Sequence, residues 1–257
     1  MKILVTGAEG YIAQSVIKDL KSKHDVTGIC RKDFDLTDWA ATCEFLSGKY
    51  FDLIIHTAVV GGNRLEAEDD TIIKQNLDMY YNLINNKEHF GRFINFGSGA
   101  ELCWPATPYG YSKRIIAESV SNRDYCLNIR IFAVFDEHEL DRRFIKSNIL
   151  RYISRQDMVV HNNKYMDFFY MKDLTALVAY FVESDNWLYN QVDCKYNTTH
   201  TLTEIASMIN ELDEHRVGVI VGDLFEKAYV GNYIGLPIPI IGLRQGIINT
   251  YTQIKQL

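Results

Sequence analysis

The chain has 257 residues, 47% of them hydrophobic and 23% charged, with a formal net charge of −6. This is the make-up of a globular protein long enough to bury a substantial core. The acidic balance and the lack of a long basic run argue against a nucleic-acid partner, and no apolar stretch reaches membrane-spanning length.

Residues 2–6 are a short apolar run that ends at a glycine turn, which predicts a buried strand. Ile12, Val16, Ile17 and Leu20 recur at helical spacing over residues 11–21. Residues 24–30 read as a second strand. Thr37 and Asp38 can cap a helix running to about Ser47, and residues 52–56 form a third strand. A long helix follows over roughly 69–86. Its apolar face (Leu77, Tyr80, Tyr81, Ile84) is expected to form core and a contact with a second copy. Residues 92–96 are a fourth strand, which Gly97-Ser98-Gly99 is expected to break. A helix spans 109–121 and a fifth strand 127–131. Repeated strand–helix–strand units with near-continuous apolar strands predict an α/β fold, a doubly wound parallel sheet covered on both faces.

Beyond residue 135 the pattern loosens. It predicts a helix near 139–156, a strand near 158–161, a helix near 171–183, a strand near 189–193 and helices at 202–212 and 243–255. The whole chain reads as one unit: a dinucleotide-binding core over about 1–135, then mixed core and a small C-terminal substrate lobe over about 136–257. Ligands of such sheets bind outside the carboxyl ends of the strands. The five cysteines (Cys30, Cys43, Cys103, Cys126, Cys194) are scattered and form no CxxC pair, and residues 1–6 lack the features of a signal peptide. The expectation is a cytoplasmic protein with reduced thiols. No His, Cys or carboxylate cluster has ligand spacing, so no metal is expected.

Two segments carry chemistry. Thr6-Gly7-Ala8-Glu9-Gly10-Tyr11-Ile12-Ala13 follows a strand and opens a helix, the setting in which a glycine turn cradles a dinucleotide pyrophosphate. Gly7 permits the tight turn, Gly10 the close backbone approach and Ala13 the helix–strand packing. The second strand ends in Ile29-Cys30-Arg31-Lys32. Two cations there suit a 2′-phosphate and favour NADP(H), while Asp33 keeps NAD(H) possible. Asp35 can meet the adenine amino group. Downstream, Tyr109-Gly110-Tyr111-Ser112-Lys113 places a phenol and an ammonium one helical turn apart. Lys113 can lower the pKa of the phenol, and a tyrosine tuned in this way exchanges a proton with a substrate oxygen.

Together these residues resemble the extended short-chain dehydrogenases/reductases, in the nucleotide-sugar epimerase/dehydratase/reductase group. The resemblance covers most of the chain: the glycine turn, Asp35-Leu36, Ile55-His56-Thr57-Ala58, Asn76, Ser98, Tyr109 with Lys113, and residues 167–174. It implies a Rossmann-type fold in which Tyr109 is the general acid/base, Lys113 tunes it and holds the nicotinamide ribose, and Ser98 hydrogen-bonds the substrate oxygen. The cofactor is then expected on Gly7, Glu9, Gly10, Tyr11, Ile12, Arg31, Lys32, Asp35, Leu36, Thr57, Ala58, Val59, Asn76, Tyr109 and Lys113, with Phe132 and Val134 bordering the nicotinamide. The run from Ile55 through Gly61-Gly62-Asn63 is most similar to GDP-L-fucose synthases, which use NADPH to reduce a 4-keto sugar nucleotide. Ala100 stands where those enzymes carry a cysteine, and Gly99-Ala100 where dehydratases carry Asp-Glu. Met166 replaces a phosphate-binding arginine of many relatives, and Lys164 reads as a solvated charge. His56, Cys103 and His138 are not expected to be catalytic. The resemblance further implies a nucleotide-sugar substrate and a homodimer through the helices near 69–86 and 109–121. The expected activity is NADP(H)-dependent reduction of a 4-keto nucleotide sugar. The alternatives are a nucleotide-sugar epimerase with tightly bound NAD(P), or a non-catalytic nucleotide-binding protein.

Overall fold

The computed structural model describes residues 1–62 and 67–256. In chain order the elements are β1 (Lys2–Thr6), α1 (Tyr11–Leu20), β2 (Asp25–Ile29), α2 (Trp39–Leu46), β3 (Phe51–His56), α3 (Thr71–Ile84), β4 (Phe90–Ser98), α4 (Ala100–Cys103), α5 (Pro108–Ser121) and β5 (Cys126–Ile131). There follow β6 (Val134–Phe135), α6 (Phe144–Ile153), β7 (Met158–Val160), β8 (Tyr165–Met166), β9 (Phe169–Tyr170), α7 (Met171–Glu183), β10 (Gln191–Cys194), β11 (His200–Thr201), α8 (Leu202–Asn210), β12 (Val219–Val221) and α9 (Leu243–Ile254). The chain divides into two compact units, Met1–Ile131 with Val178–Val192, and Phe132–Leu177 with Asp193–Leu257.

The first unit is built on a six-stranded sheet of order β10-β5-β4-β3-β1-β2. Strands β2, β1, β3, β4 and β5 pair in parallel. The apolar runs of β1, β3, β4 and β5 are buried on both faces, as a helix-covered parallel sheet requires. This is a Rossmann-like α/β fold. On one face Tyr80 of α3 is fully buried and donates its hydroxyl to Ser119 Oγ of α5 at 3.0 Å; Ile84, Ile116 and Val120 pack in the same core. Leu77 and Tyr81 are only partly buried against it. The register aligns the carboxyl ends of the strands: Thr6 lies opposite Ile29 on one side and His56 on the other. The glycine turn, the Cys30-Arg31 segment and the Thr57-Ala58 segment therefore leave the sheet side by side.

Strand β4 does not stop at Gly97. It continues to Ser98, opposite Ile131 of β5. Gly97 is a strand residue because a Cβ there would collide with Glu101 Oε1 and lie 2.6 Å from Asn128 Oδ1. Its small size admits a buried side chain rather than breaking the strand. Helix α6 begins at Phe144, later than the apolar spacing suggests. The residues before it are held in turns, with the His138 amide donating to Asp136 Oδ1 at 2.8 Å and the Arg143 amide to the Leu140 carbonyl at 2.9 Å. The second unit otherwise carries three two-stranded pairings, β6 with β9, β7 with β12 and β8 with β11, with α6, α8 and α9 packed on one another. Lys164 there is buried and paired with Glu226 at 2.6 Å, not solvated. Among the described residues, no helix is long and apolar enough to cross a membrane.

Candidate functional site

Gly7 sits at φ +67°, and a Cβ on it would lie 2.8 Å from Ala58 Cα. Only glycine meets both conditions. The Gly10 amide donates to the Gly7 carbonyl at 2.8 Å, closing the turn, and Gly10 is the N-cap of α1 without a side chain in the way. The N–H groups of the first helical turn at Tyr11 and Ile12 are thereby presented to an anion. Opposite, Thr57 donates its hydroxyl to the Thr6 carbonyl at 2.6 Å and the Ala58 amide donates to Thr6 Oγ1 at 3.2 Å. These bonds fix the segment after β3 against the glycine turn.

Two cavities open here. One, of 410 Å³, is lined by Gly7, Arg31, Asp35, Leu36, Ala58 and Val59 among others; the second, of 270 Å³, by Gly7, Glu9, Gly10, Arg31, Thr57, Ala58 and Val59 among others. A backbone cradle that any Cβ at Gly7 would fill, beside these two cavities, fits a dinucleotide. Of the charged residues after β2, Arg31 lines both cavities. Lys32 is instead paired with Glu9 at 2.5 Å, both side chains largely exposed. Asp33 turns back to accept the Cys30 amide at 2.7 Å. Asp35 Oδ1 accepts both the amide and the hydroxyl of Thr37 at 2.9 Å, which shapes the turn toward α2.

Asn76, expected beside the cofactor, is held within the protein's own hydrogen-bond network. It is buried, its Oδ1 accepts the Val60 amide at 2.8 Å, and its Nδ2 donates to the Val60 carbonyl and to Ser112 Oγ, each at 3.0 Å. It ties the cavity wall to α3 and α5. Asn63, the last residue of the segment likened to fucose synthases, lies outside the described residues.

Helix α5 presents Tyr109 and Lys113. Thr107 caps it by accepting the Gly110 amide at 3.1 Å, and Pro108 opens the first turn. Gly110 has no substitute, because a Cβ there would run into the Trp104 carbonyl. Lys113 is 4% exposed; its ammonium donates to the Phe96 carbonyl at 2.7 Å and lies 6.0 Å from the centre of the Tyr109 ring. Burial pushes Lys113 down to about 8, opposed by the carboxylate of Glu101. Two residues beyond Phe96, Ser98 accepts the Ala100 amide on Oγ at 3.2 Å, which leaves its hydroxyl proton to donate elsewhere. Lys113 thus reaches from α5, one turn after Tyr109, to the last residues of β4, the strand that ends at Ser98. His56 is buried, meets Thr6 Oγ1 at 2.9 Å and is driven to about 3 by burial, so it stays neutral.

Beneath these groups lies a polar network that motif spacing does not expose. Glu101 is 3% exposed and accepts the Ser98 amide at 2.7 Å, Arg130 Nε at 2.8 Å and Asn128 Nδ2 at 3.3 Å. Burial raises its carboxyl above the ordinary range, with Arg130 opposing. The signal for it was the alternation of Asn128 and Arg130 on an otherwise apolar strand, which demands a polar partner. Phe132 and Val134 belong to the second unit, where Phe132 packs edge-on against Tyr229 at 5.4 Å and Val134 pairs with Phe169 of β9.

Fold and site define an NAD(P)-dependent enzyme of the oxidoreductase/epimerase kind. The model of the NAD dependent epimerase/dehydratase family matches residues 3–191, and the chain belongs to that family. No curated protein matches the sequence significantly. Solved structures do resemble it in fold. GDP-mannoheptose C4 reductase from Campylobacter jejuni, with NADP bound, superposes with a TM-score of 0.82 at 14% identity over 99% of this chain and 98% of that one. UDP-glucose 4-epimerase from Thermotoga maritima, with UDP-glucose, gives 0.80 at 15% identity over 100% and 99%. A GDP-L-fucose synthetase from Naegleria fowleri, bound to NADP, gives 0.73 at 16% identity over 99% and 93%.

Proposed function

We propose that the protein reduces a 4-keto nucleotide sugar at the expense of NADPH. The observation that carries this reading lies at the end of β4: a buried lysine ammonium on the Phe96 carbonyl, one turn after Tyr109, on the strand that two residues later ends at a serine whose hydroxyl proton is left to donate. When bound, the reduced nicotinamide supplies the hydride. Ser98 hydrogen-bonds the carbonyl oxygen, and Tyr109 delivers its phenolic proton as charge develops there. Lys113 stabilises the phenolate that remains. A lysine held near 8 still carries its proton at neutral pH.

The preference for NADP(H) is supported by Arg31 lining both cavities while Asp33 is engaged by the Cys30 amide, away from a ribose hydroxyl. The protein forms a homodimer through α3 and α5 and acts in the cytoplasm, where its five free cysteines stay reduced. The test is to mix purified protein with NADPH and a panel of 4-keto-6-deoxy sugar nucleotides of different bases. Loss of absorbance at 340 nm with at least one is expected, and no loss with any would refute the reading. Nicotinamide that stays bound through purification, with sugar epimerised and no net redox change, would assign an epimerase instead.

A further inference from the structure

The first turn of α5 has three residues whose amides no acceptor within the helix can serve. Pro108 has no N–H, and Thr107 takes the Gly110 amide through its side chain. The amide of Tyr109 is the donor left over, and its acceptor comes from far along the chain: Glu68 Oε2, at 3.1 Å. The other oxygen of the same carboxylate accepts the Gly62 amide at 2.8 Å. One half-buried side chain thus bridges the segment after β3 and the residue that bears the phenol.

The bridge brings Gly62 onto the tyrosine itself. Gly62 is at φ +79°, and a Cβ on it would stand 2.9 Å from Tyr109 Cζ and 3.1 to 3.2 Å from both flanking ring carbons. Gly62 therefore lies against the phenol end of the ring, at the carbon that carries the reacting oxygen. Its neighbour Gly61, at φ +84°, would meet Ile72 at 3.0 Å and Glu68 Oε1 at 3.3 Å if it had a Cβ. The Gly-Gly pair is thus required by two close approaches as well as by its backbone angles.

We propose that Glu68 is a positioning residue for proton transfer: its carboxylate clamps Gly62 to the amide of Tyr109 and so fixes the phenol ring. It acts through backbone and ring contact and touches no substrate. The proposal rests on Tyr109 being the acid/base group. An oxygen that must meet a substrate atom within hydrogen-bond reach tolerates little misplacement, and an error of about 1 Å can cost about a hundredfold in rate.

The test uses the full chain labelled with [ζ-13C]tyrosine, with the Tyr109 resonance assigned by its loss in Tyr109→Phe. Glu68→Gln leaves one acceptor oxygen and turns an NH2 toward the other amide; Glu68→Ala removes both acceptors. Asp70→Asn, at an N-cap that makes no side-chain hydrogen bond, is the control. The expected result is a moved or broadened Tyr109 resonance in both Glu68 variants. With it, kcat on a 4-keto-6-deoxy sugar nucleotide should fall about ten- to a hundredfold, while KM and the Kd for NADPH stay within about twofold. Asp70→Asn should match wild type in all four. An unmoved resonance in Glu68→Ala overturns the clamp whatever the turnover. A moved resonance with wild-type kcat overturns the positioning role. If the wild type turns over no 4-keto sugar nucleotide but the resonance moves, the functional reading fails and the clamp is upheld.

Discussion

Lys113→Met separates what the site needs from what the fold prefers. The buried ammonium has its pKa pushed from 10.5 down to about 8, chiefly by burial. Between these values the unfolded chain holds a proton that the folded chain has released, so wild-type stability rises with pH across that window. Each tenfold in the proton equilibrium is about 1.4 kcal/mol, so the gain from below pH 8 to about 10.5 is about 3 kcal/mol. Methionine has no proton to release. The wild-type-minus-variant stability should therefore climb by about 3 kcal/mol over this range, while the titrations common to both proteins cancel. The assay is urea unfolding followed by tryptophan fluorescence at several pH values. All three tryptophans, Trp39, Trp104 and Trp187, lie in the first unit, so the signal reports the body that holds Lys113. The same variant should lose turnover at every pH. Parallel stability profiles for the two proteins would refute the assignment of a desolvated, still protonated lysine.

Gly7→Ala places a Cβ 2.8 Å from Ala58 Cα at a positive φ; NADPH should bind about five- to 150-fold more weakly in a fluorescence titration, from about 1–3 kcal/mol of local strain, and unchanged binding would remove the glycine turn from the cofactor site. Arg31→Ala should weaken NADPH by about thirtyfold, the equivalent of about 2 kcal/mol for a charged phosphate contact, and leave NADH nearly unaffected; equal losses for both would rule out a 2′-phosphate role. Glu101→Ala takes the carboxylate away from the buried Arg130 guanidinium, the two side chains being 1% and 5% exposed, and leaves its bond to Gln191 Oε1 at 2.7 Å. It should lower stability by about 3 kcal/mol or more in the same urea assay, with much of the loss recovered in Glu101→Ala/Arg130→Met. A single variant as stable as wild type would show that the pair is not desolvated.

What could be read from the sequence was what is local in the chain. The glycine turn and the Tyr109–Lys113 pair are set by spacing within eight residues or fewer, and the covered parallel sheet follows from near-continuous apolar runs in most of its strands. Glu68 and Glu101 escaped because their partners lie 41 and 29 residues away, and a lone carboxylate has no periodicity. The pairing of Lys32 with Glu9, across a gap of 23 residues, is likewise invisible to local spacing. Gly97 was read as a strand breaker because glycine weakens strands in general; here the neighbouring strand and the following helix fill the space a side chain would need. Strands β6, β8, β9 and β11 have two residues each, too few for any alternation to register. The hydrogen bonds of the Asn76 amide to Val60 and Ser112, 16 and 36 residues away, are likewise visible only in the fold.

The claim on which the account depends is that hydride leaves the cofactor for a sugar carbon while Tyr109 supplies the proton. The direct measurement is a reaction of the 4-keto-6-deoxy sugar nucleotide with NADPH deuterated at the transferred position, with the product sugar analysed by mass spectrometry and NMR. One deuterium at the former carbonyl carbon, with stoichiometric loss of NADPH in wild type and almost none in Tyr109→Phe, is the predicted result. A product without deuterium, or full turnover in Tyr109→Phe, would contradict it.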